Sequence, residues 1–230
     1  MDKMTKAVLL MGSPRGRKST SNAVCIYLQE IFEKNGLESQ DPIFIRNHVA
    51  SEEKMNDMLV AIDQADIIVL VAPLYDDTSP AIVTKTMEVM AKNSSKYANK
   101  RFLPIINSGF PEPFHITEIA IPIYHKFATS LGLHWTGSLA LGGGEAMRGR
   151  IGKLLNEGGG FGKKVMKALD RVVESFVTNS DFGDEALEIF SLKIYYNRVM
   201  RKFMIWINNR SWKKTAKKNG GQVDARPYST

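Results

Sequence analysis

The segment between residues 12 and 22 has the residue types of an anion-binding loop. It reads Gly-Ser-Pro-Arg-Gly-Arg-Lys-Ser-Thr-Ser-Asn and joins a short apolar run to a stretch with helical periodicity. Its hydroxyl and basic side chains are Ser13, Ser19, Thr20 and Ser21, with Arg15, Arg17 and Lys18. The first turn of a helix leaves backbone N–H groups without partners, and the helix dipole favours negative charge there. The segment therefore predicts a phosphate monoester site, with Asn22 in the first turn; a solvated turn with an N-cap is the simpler alternative.

Two common nucleotide-binding signatures are absent from this segment. Lys18 follows an arginine, so the Gly-Lys-Ser/Thr sequence of a Walker loop is missing. The segment also lacks the G-x-G-x-x-G pattern of a dinucleotide-binding turn. The predicted phosphate is therefore not expected to belong to a P-loop nucleotide or to a Rossmann-bound dinucleotide.

Alternating strands and helices are predicted to position this loop. Apolar runs predict five strands, at residues 7–11, 42–45, 67–72, 102–106 and 133–141. Helical periodicity predicts helices at residues 22–34, 52–64, 80–92, 116–131 and 162–178. This alternation is typical of an α/β domain with a parallel sheet covered on both faces. In the doubly wound order 2-1-3-4-5, the ligand lies at the carboxyl ends of the central strands.

Two loops carry a resemblance to a known family. Gly-Ser-Pro-Arg at residues 12–15, with the Ser/Thr/Asn cluster after it, resembles the NAD(P)H-dependent FMN reductases and related flavodoxin-like oxidoreductases. The similarity continues at residues 72–81, Ala-Pro-Leu-Tyr-Asp-Asp-Thr-Ser-Pro-Ala, and at Lys85. The resemblance implies a flavodoxin-like three-layer sandwich with a five-stranded parallel sheet. It also implies FMN as the cofactor, with the second loop under its isoalloxazine ring.

A flavin needs a flat apolar wall and N–H donors at its polar edge. Leu74 and Tyr75 can supply the wall and the amides of residues 75–78 the donors, although Tyr75 is also compatible with an ordinary half-buried tyrosine. In the loop after the fourth strand, Gly109 permits a close backbone approach. Phe110 either covers the second face of the ring or is a lid or core residue.

The expected FMN-binding residues come from three loops. They are Ser13, Arg15, Ser19, Thr20, Ser21, Asn22, Pro73, Leu74, Tyr75, Asp76, Asp77, Ser108, Gly109 and Phe110. No catalytic side chain is expected, because a flavin carries the redox chemistry itself. No metal site is expected either, since the histidines at 48, 115, 125 and 134 lack metal-ligand spacing.

The resemblance implies an FMN-dependent enzyme that transfers electrons from the co-substrate NAD(P)H to a small acceptor. A quinone, a nitroaromatic compound or a metal ion fits that description. The alternatives are a non-enzymatic flavodoxin-type carrier that docks a protein redox partner, and a binding protein that has lost the cofactor. Short flavodoxins are acidic, and the basic carboxyl-terminal segment of this chain counts against the carrier.

Charge is distributed unevenly along the 230 residues, whose net charge is +7. Residues 193–230 contain ten basic residues and one acidic residue, so the remaining 192 residues carry 21 basic and 23 acidic ones. Residues 1–192 are therefore nearly neutral in total charge, and no nucleic-acid partner is expected. The single cysteine, the short apolar run at the amino terminus and the lack of a long apolar stretch predict a cytoplasmic protein without a transmembrane segment.

The predicted domain organisation is an FMN-binding domain at 1–180 and a basic amphipathic helical extension with a tail at 181–230. Apolar residues of the extension recur at helical spacing: Leu192, Tyr195, Tyr196, Val199, Phe203, Trp206 and Ile207. Three uses remain open for this helix: packing on its own domain or on a second subunit, peripheral contact with an acidic membrane surface, or docking of an acidic redox partner. A homodimer is implied by the resemblance only.

Removing two hydroxyls tests the predicted phosphate loop. The double substitution Ser19→Ala and Ser21→Ala is expected to weaken FMN retention, because both residues belong to the predicted anion site. Titration of the apoprotein with FMN measures the effect. An unchanged affinity would contradict the loop assignment.

Overall fold

The computed structural model describes residues 5–109, 114–144, 152–180 and 198–223. The chain divides into two compact units, Met1–Ser191 and Leu192–Thr230. The predicted domain boundary between residues 180 and 181 stays a prediction.

The first unit contains strands and helices in alternation. Its strands are β1 (Lys6–Met11), β2 (Glu38–Ser39), β3 (Ile43–Phe44), β4 (Ile67–Pro73), β5 (Arg101–Asn107), β6 (His134–Trp135) and β7 (Leu139–Leu141). Its helices are α1 (Thr20–Lys34), α2 (Ile45–His48), α3 (Glu52–Gln64), α4 (Ala81–Ala91), α5 (Ile121–Ser130) and α6 (Gly159–Val177). Short 3₁₀ turns occur at Ser94–Lys96 and Leu155–Glu157, and a π-helical turn at Ile116–Ala120 precedes α5.

The sheet has the predicted strand order. β1 pairs with β4 on one side and with β2 and β3 on the other, β4 pairs with β5, and β5 pairs with β6 and β7. All these pairings are parallel. The order 2-1-3-4-5 is therefore confirmed, except that the second and fifth positions are each divided into two short strands. Pro42 has no N–H for pairing before β3, and Gly137, with a φ of 119°, interrupts the extended chain between β6 and β7.

Helices cover both faces of the sheet and create two separate cores. On one face, Leu9 of β1 packs in a cluster with Leu28 of α1 and Leu169 of α6. On the other face, Leu10 of β1 belongs to a cluster with Met58 of α3. Successive residues of β1 thus enter opposite cores, as the period of a strand requires. Each large apolar side chain that is fully buried contributes roughly 1.5–3 kcal/mol to stability. The three-layer flavodoxin-like fold is confirmed.

Helix boundaries follow local capping residues. Ser51 caps α3 by accepting a hydrogen bond from the amide of Lys54 at 3.3 Å, and α3 spans the predicted residues. The four-residue helix α2 was not predicted, because it is too short to show a periodicity. The predicted helix from residue 116 begins instead as a π-helical turn. Pro122 cannot donate to a preceding carbonyl, which accounts for the new start of the α-helix at that position.

Arg101 ties the end of α6 to the first residue of β5. Its guanidinium donates to the carbonyl oxygens of Ser175 and Phe176 at 3.5 and 3.4 Å. It also donates to the carbonyl of Ser180 at 2.6 Å and to Oδ1 of Asn179 at 3.3 Å. The guanidinium carbon lies 4.8 Å from the centre of the Phe176 ring. A cation at the carboxyl end of a helix is stabilised by the helix dipole as well as by these bonds.

The second unit contains α7 (Arg198–Lys218). Apolar side chains of α7 are exposed: Val199, Phe203, Ile205, Trp206, Ile207 and Trp212. Within the helix, the rings of Phe203 and Trp206 stack at 6.3 Å, and Arg210 lies 5.5 Å over Trp206. Leu192, Tyr195 and Tyr196 of the predicted apolar stripe lie outside the described residues. In the part of the chain that the structure describes, no helix is both long and apolar enough to span a bilayer.

Truncation of Arg101 tests the link between α6 and the sheet. Arg101→Ala is expected to lower the free energy of unfolding by about 2–4 kcal/mol, because it removes hydrogen bonds donated by a charged group. Urea denaturation followed by circular dichroism measures the loss. Arg171→Ala, which removes an exposed arginine of α6, is the matched control and should change stability by less than about 0.5 kcal/mol. Equal losses in the two variants would contradict the proposed link.

Candidate functional site

A cavity of about 190 Å³ opens at the carboxyl ends of β1, β4 and β5. The residues that line it are Ser13, Arg15, Ser19, Thr20, Ser21, Pro73, Leu74, Tyr75, Asn107, Ser108, Gly109 and Gly144. This is the edge of the sheet where the doubly wound order was predicted to place a ligand. Among the described residues, the lining contains one basic side chain and no acidic one, so its electrostatic character favours an anion.

Ser19 organises the first loop of the cavity. Its hydroxyl donates to the carbonyl of Gly16 at 2.6 Å and accepts from the amide of Asn22 at 3.1 Å. The amide of Ala23 donates a hydrogen bond to the carbonyl of Ser19. The amides of Thr20 and Ser21 have no acceptor among the described residues. The start of α1 therefore presents two unpaired N–H donors at the cavity, as the helix N-terminus predicts.

The hydroxyls of this loop differ in what they can still bind. Thr20 Oγ1 donates its hydrogen to the carbonyl of Gly144 at 3.0 Å, and the Ser19 hydrogen is also taken up within the protein. Ser13 Oγ accepts from the amide of Arg15 at 3.3 Å, and Ser21 Oγ accepts from Asn107 at 3.0 Å. Ser13 and Ser21 keep their own hydroxyl hydrogens for a ligand. Removal of the Ser19 hydroxyl would act mainly through the lost cap, which is worth about 1 kcal/mol.

Asn107 joins the first loop to the two central strands. It is buried at the end of β5, and its Nδ2 donates to Ser21 Oγ and to the carbonyl of Ala72, both at 3.0 Å. Asn107 was not among the predicted site residues. The signal that could have identified it is its position, because a polar residue directly after an apolar strand at the ligand edge of the sheet needs a partner there.

Gly144 was also missed by the sequence prediction. Its amide donates to the carbonyl of Ser108 at 2.7 Å, and its own carbonyl accepts the bond from Thr20. A Cβ atom at this position would lie 3.0 Å from the Ser108 oxygen, so the close packing of the two loops favours glycine. The glycine cluster at residues 142–144 is visible in the sequence, but nothing local indicates which loop it contacts.

The second loop is a tight hairpin. The amide of Tyr75 donates to the carbonyl of Thr78 at 2.9 Å, and the amide of Thr78 donates back at 3.0 Å. Asp76 and Asp77 have φ values of 45° and 64°, which are strained for residues other than glycine. Two of the four amides predicted to be ligand donors are therefore used within the hairpin.

Neighbouring side chains hold the second loop in place. Oδ1 of Asp77 lies 2.7 Å from Nδ1 of His115, and both side chains are about half exposed. The buried Ser79 donates to the hydroxyl of Tyr124 of α5 at 2.7 Å. Burial raises the pKa of Tyr124 to about 12, and the bond from Ser79 lowers it by a smaller amount. The phenol is therefore protonated at neutral pH and acts as a fixed support beneath the loop.

The structure brings together ten of the fourteen predicted site residues around the cavity: Ser13, Arg15, Ser19, Thr20, Ser21, Pro73, Leu74, Tyr75, Ser108 and Gly109. Asn22, Asp76 and Asp77 do not line it. Asn22 contributes its amide to the cap of α1, and the two aspartates form the tip of the hairpin. Phe110 lies outside the described residues.

Comparison with known proteins gives a consistent result. The family model for NADPH-dependent FMN reductase matches residues 5–124. An NADH:FMN oxidoreductase in its apo form has 15% identity and a TM-score of 0.56, covering 80% of this chain and 94% of that one. An NAD(P)H:quinone oxidoreductase from Methanothermobacter marburgensis has 16% identity and a TM-score of 0.55, covering 76% of this chain and 98% of that one.

A third similar structure contains the cofactor. It is an FMN-dependent NADH-azoreductase from Bacillus anthracis in complex with FMN, with 14% identity and a TM-score of 0.50, covering 76% of this chain and 100% of that one. At these identities, the structural similarities establish the fold. No curated protein sequence matches the chain.

Conversion of Asn107 to aspartate tests the electrostatics of the cavity. Asn107→Asp replaces two hydrogen-bond donors by a carboxylate, and it adds negative charge to a cavity whose described lining has none. The affinity for FMN, measured by titration of the apoprotein, is expected to fall at least about tenfold.

Asn56→Asp supplies the same change in charge on the exposed surface of α3 and should leave the FMN affinity unaltered. Circular dichroism establishes that both variants are folded. If the two variants retain FMN equally well, Asn107 has no influence on an anion in the cavity.

Proposed function

The chain belongs to the NADPH-dependent FMN reductase family, and we propose that its cavity holds FMN and serves electron transfer from NAD(P)H to a small acceptor. Quinones and nitroaromatic compounds are the acceptor classes we favour, with metal ions as a further possibility. The main support for the proposal is the pair of amides, of Thr20 and Ser21, that have no partner among the described residues, at a cavity whose described lining has no acidic side chain.

The first loop fits the phosphate of FMN. Two amides and two hydroxyl hydrogens are available, from Thr20, Ser21 and Ser13, and the Arg15 side chain lines the same cavity. Hydrogen bonds to a charged group contribute about 1.5–3 kcal/mol each, so a few of them retain a phosphate firmly. Gly12 lies at the start of the same loop, and a Cβ there would approach Val83 Cγ2 to 2.7 Å. The loop is thus packed tightly against β4 and α4, which keeps the donors in a fixed arrangement.

The rim of the cavity fits the flat part of the cofactor. Pro73 and Leu74 supply apolar surface, and Tyr75 is 40% exposed at the rim. Ligand sites for whole small molecules usually enclose about 300–1,000 Å³, which exceeds the volume of this cavity. We therefore assign the enclosed space to the phosphate and the ribityl chain, and the open surface at Tyr75 to the ring.

The lining residues that the structure describes include no histidine, aspartate, glutamate or cysteine. Bound FMN would supply the chemistry, accepting a hydride from the nicotinamide and passing electrons to the second substrate. The residues of the chain bind the cofactor, orient it and leave one side open to substrates. Family membership favours this enzymatic role over a flavodoxin-type carrier. The homodimer and the membrane contact of the carboxyl-terminal helix stay predictions.

Comparison of FMN with riboflavin tests the phosphate assignment. The apoprotein is titrated with each flavin, and the quenching of flavin fluorescence is followed. FMN is expected to bind at least about a hundredfold more tightly, because riboflavin lacks the group that the amides of α1 would bind. Equal affinities for FMN and riboflavin would contradict the assignment of the FMN phosphate to the cavity.

Anaerobic reduction tests the enzymatic role. The FMN-loaded protein is mixed with NADPH or NADH, and the visible absorbance of the flavin is recorded. Bleaching by at least one nucleotide, followed by recovery on addition of a quinone, is the expected result. A flavin that neither nucleotide bleaches would favour the electron carrier instead.

A further inference from the structure

A second group of cations lies outside the cavity, against the back of the phosphate loop. Arg46 of α2 donates from Nη1 to the carbonyl of Pro14 at 3.0 Å. Its guanidinium carbon lies 2.6 Å from the position that a Cβ atom of Gly16 would occupy, and Gly16 has a φ of 64°. The loop therefore bends around the head group of Arg46, which holds that guanidinium against Gly16, the residue before Arg17 in the chain.

No carboxylate in the described part of the chain forms an ion pair with these cations. Arg17, Lys18 and Arg46 are all exposed, and none of them forms an ion pair with a described residue. The sequence has no aspartate or glutamate at residues 12–29 or 42–51, the two segments that meet here. None of the three side chains lines the cavity, where Arg15 is the basic residue. Adjacent charges of one sign repel each other and attract a counter-anion.

We propose that Arg17 and Arg46 form a second phosphate subsite, which binds the 2′-phosphate of NADPH. The inference rests on the proposed function and names the residues that select the nucleotide. The cavity accounts for the phosphate of FMN, so the outer pair is available for a second phosphate. A 2′-phosphate is a monoester that two guanidiniums can bind through paired N–H···O bonds, and it is the group that NADH lacks.

Arg46 has a specific advantage over a mobile surface lysine for this task. Its bond to Pro14 and its packing on Gly16 hold the guanidinium before a ligand arrives, so less side-chain entropy is lost on binding. Lys18 adds positive charge nearby but has no such support. Discrimination between the two nucleotides is therefore expected to depend mainly on the two arginines.

Binding of adenosine phosphates tests the subsite directly, without turnover. Isothermal titration of the full-length protein compares 2′,5′-ADP with 5′-AMP, which lacks only the 2′-phosphate. The former is expected to bind at least about tenfold more tightly, and the difference should shrink as salt is raised. Equal binding of the two compounds would overturn the subsite, while the riboflavin comparison would still stand as an independent test of the FMN cavity.

Substitutions then identify the residues responsible. Arg17→Gln and Arg46→Gln are each expected to raise KM for NADPH about tenfold to a hundredfold. KM for NADH, kcat at saturating NADPH and the affinity for FMN should stay within about twofold of the parent protein. Glutamine is too short to keep the bond that Nη1 of Arg46 donates to the carbonyl of Pro14. Arg171→Gln on α6 removes the same charge from an exposed position and should change none of these quantities.

Two outcomes would overturn the assignment. If KM rises equally for both nucleotides, the arginines act through loop structure or through general charge. If the affinity for FMN falls while the preference for 2′,5′-ADP is unchanged, the two arginines bind the phosphate of FMN and not that of NADPH. Arg17→Gln keeps the test decisive even if Arg46→Gln disturbs the loop, because the Arg17 side chain contacts no partner among the described residues.

Discussion

The site depends on the way Ser19 ends the loop and begins α1. One hydroxyl group fixes the carbonyl of Gly16 and the amide of Asn22 together, which sets both the turn and the first helical residue. A helix must leave its first amides without internal partners, and the Ser19 cap satisfies only one of them. The amides of Thr20 and Ser21 are left at the cavity. The anion site that we propose for the loop is therefore a consequence of where the helix starts.

The parallel sheet then converts three separate loops into one site. Strands that run in one direction end at one edge, so the loops after β1, β4 and β5 meet there. Asn107 and Gly144 hold these loops together. Asn107 donates to the first loop and to β4, and the carbonyl of Gly144 accepts the bond from Thr20. Reduction of a flavin requires a fixed ring and an open face, and a rigid rim with an exposed Tyr75 is suited to both requirements.

The phosphate loop has cations on both of its sides, and they differ in setting. Arg15 lines the cavity, while Arg17 and Arg46 lie on the outer surface, where Arg46 packs against Gly16. In our two proposals, this loop binds one anion inside the cavity and a second one on the outer surface. This arrangement is possible because Gly16, in the left-handed conformation, lets the chain pass close to the guanidinium of Arg46.

The sequence by itself determined the strand order, the two-faced cores and the loop that carries the hydroxyls, because apolar periodicity and helix capping are local properties. Tertiary structure decided the rest. Three hydrogen bonds join residues that are far apart in the sequence. Asn107 and Ser21 are 86 positions apart, Thr20 and Gly144 are 124 apart, and Arg46 and Pro14 are 32 apart. No local pattern encodes such pairs, since their partners become neighbours only when the sheet forms.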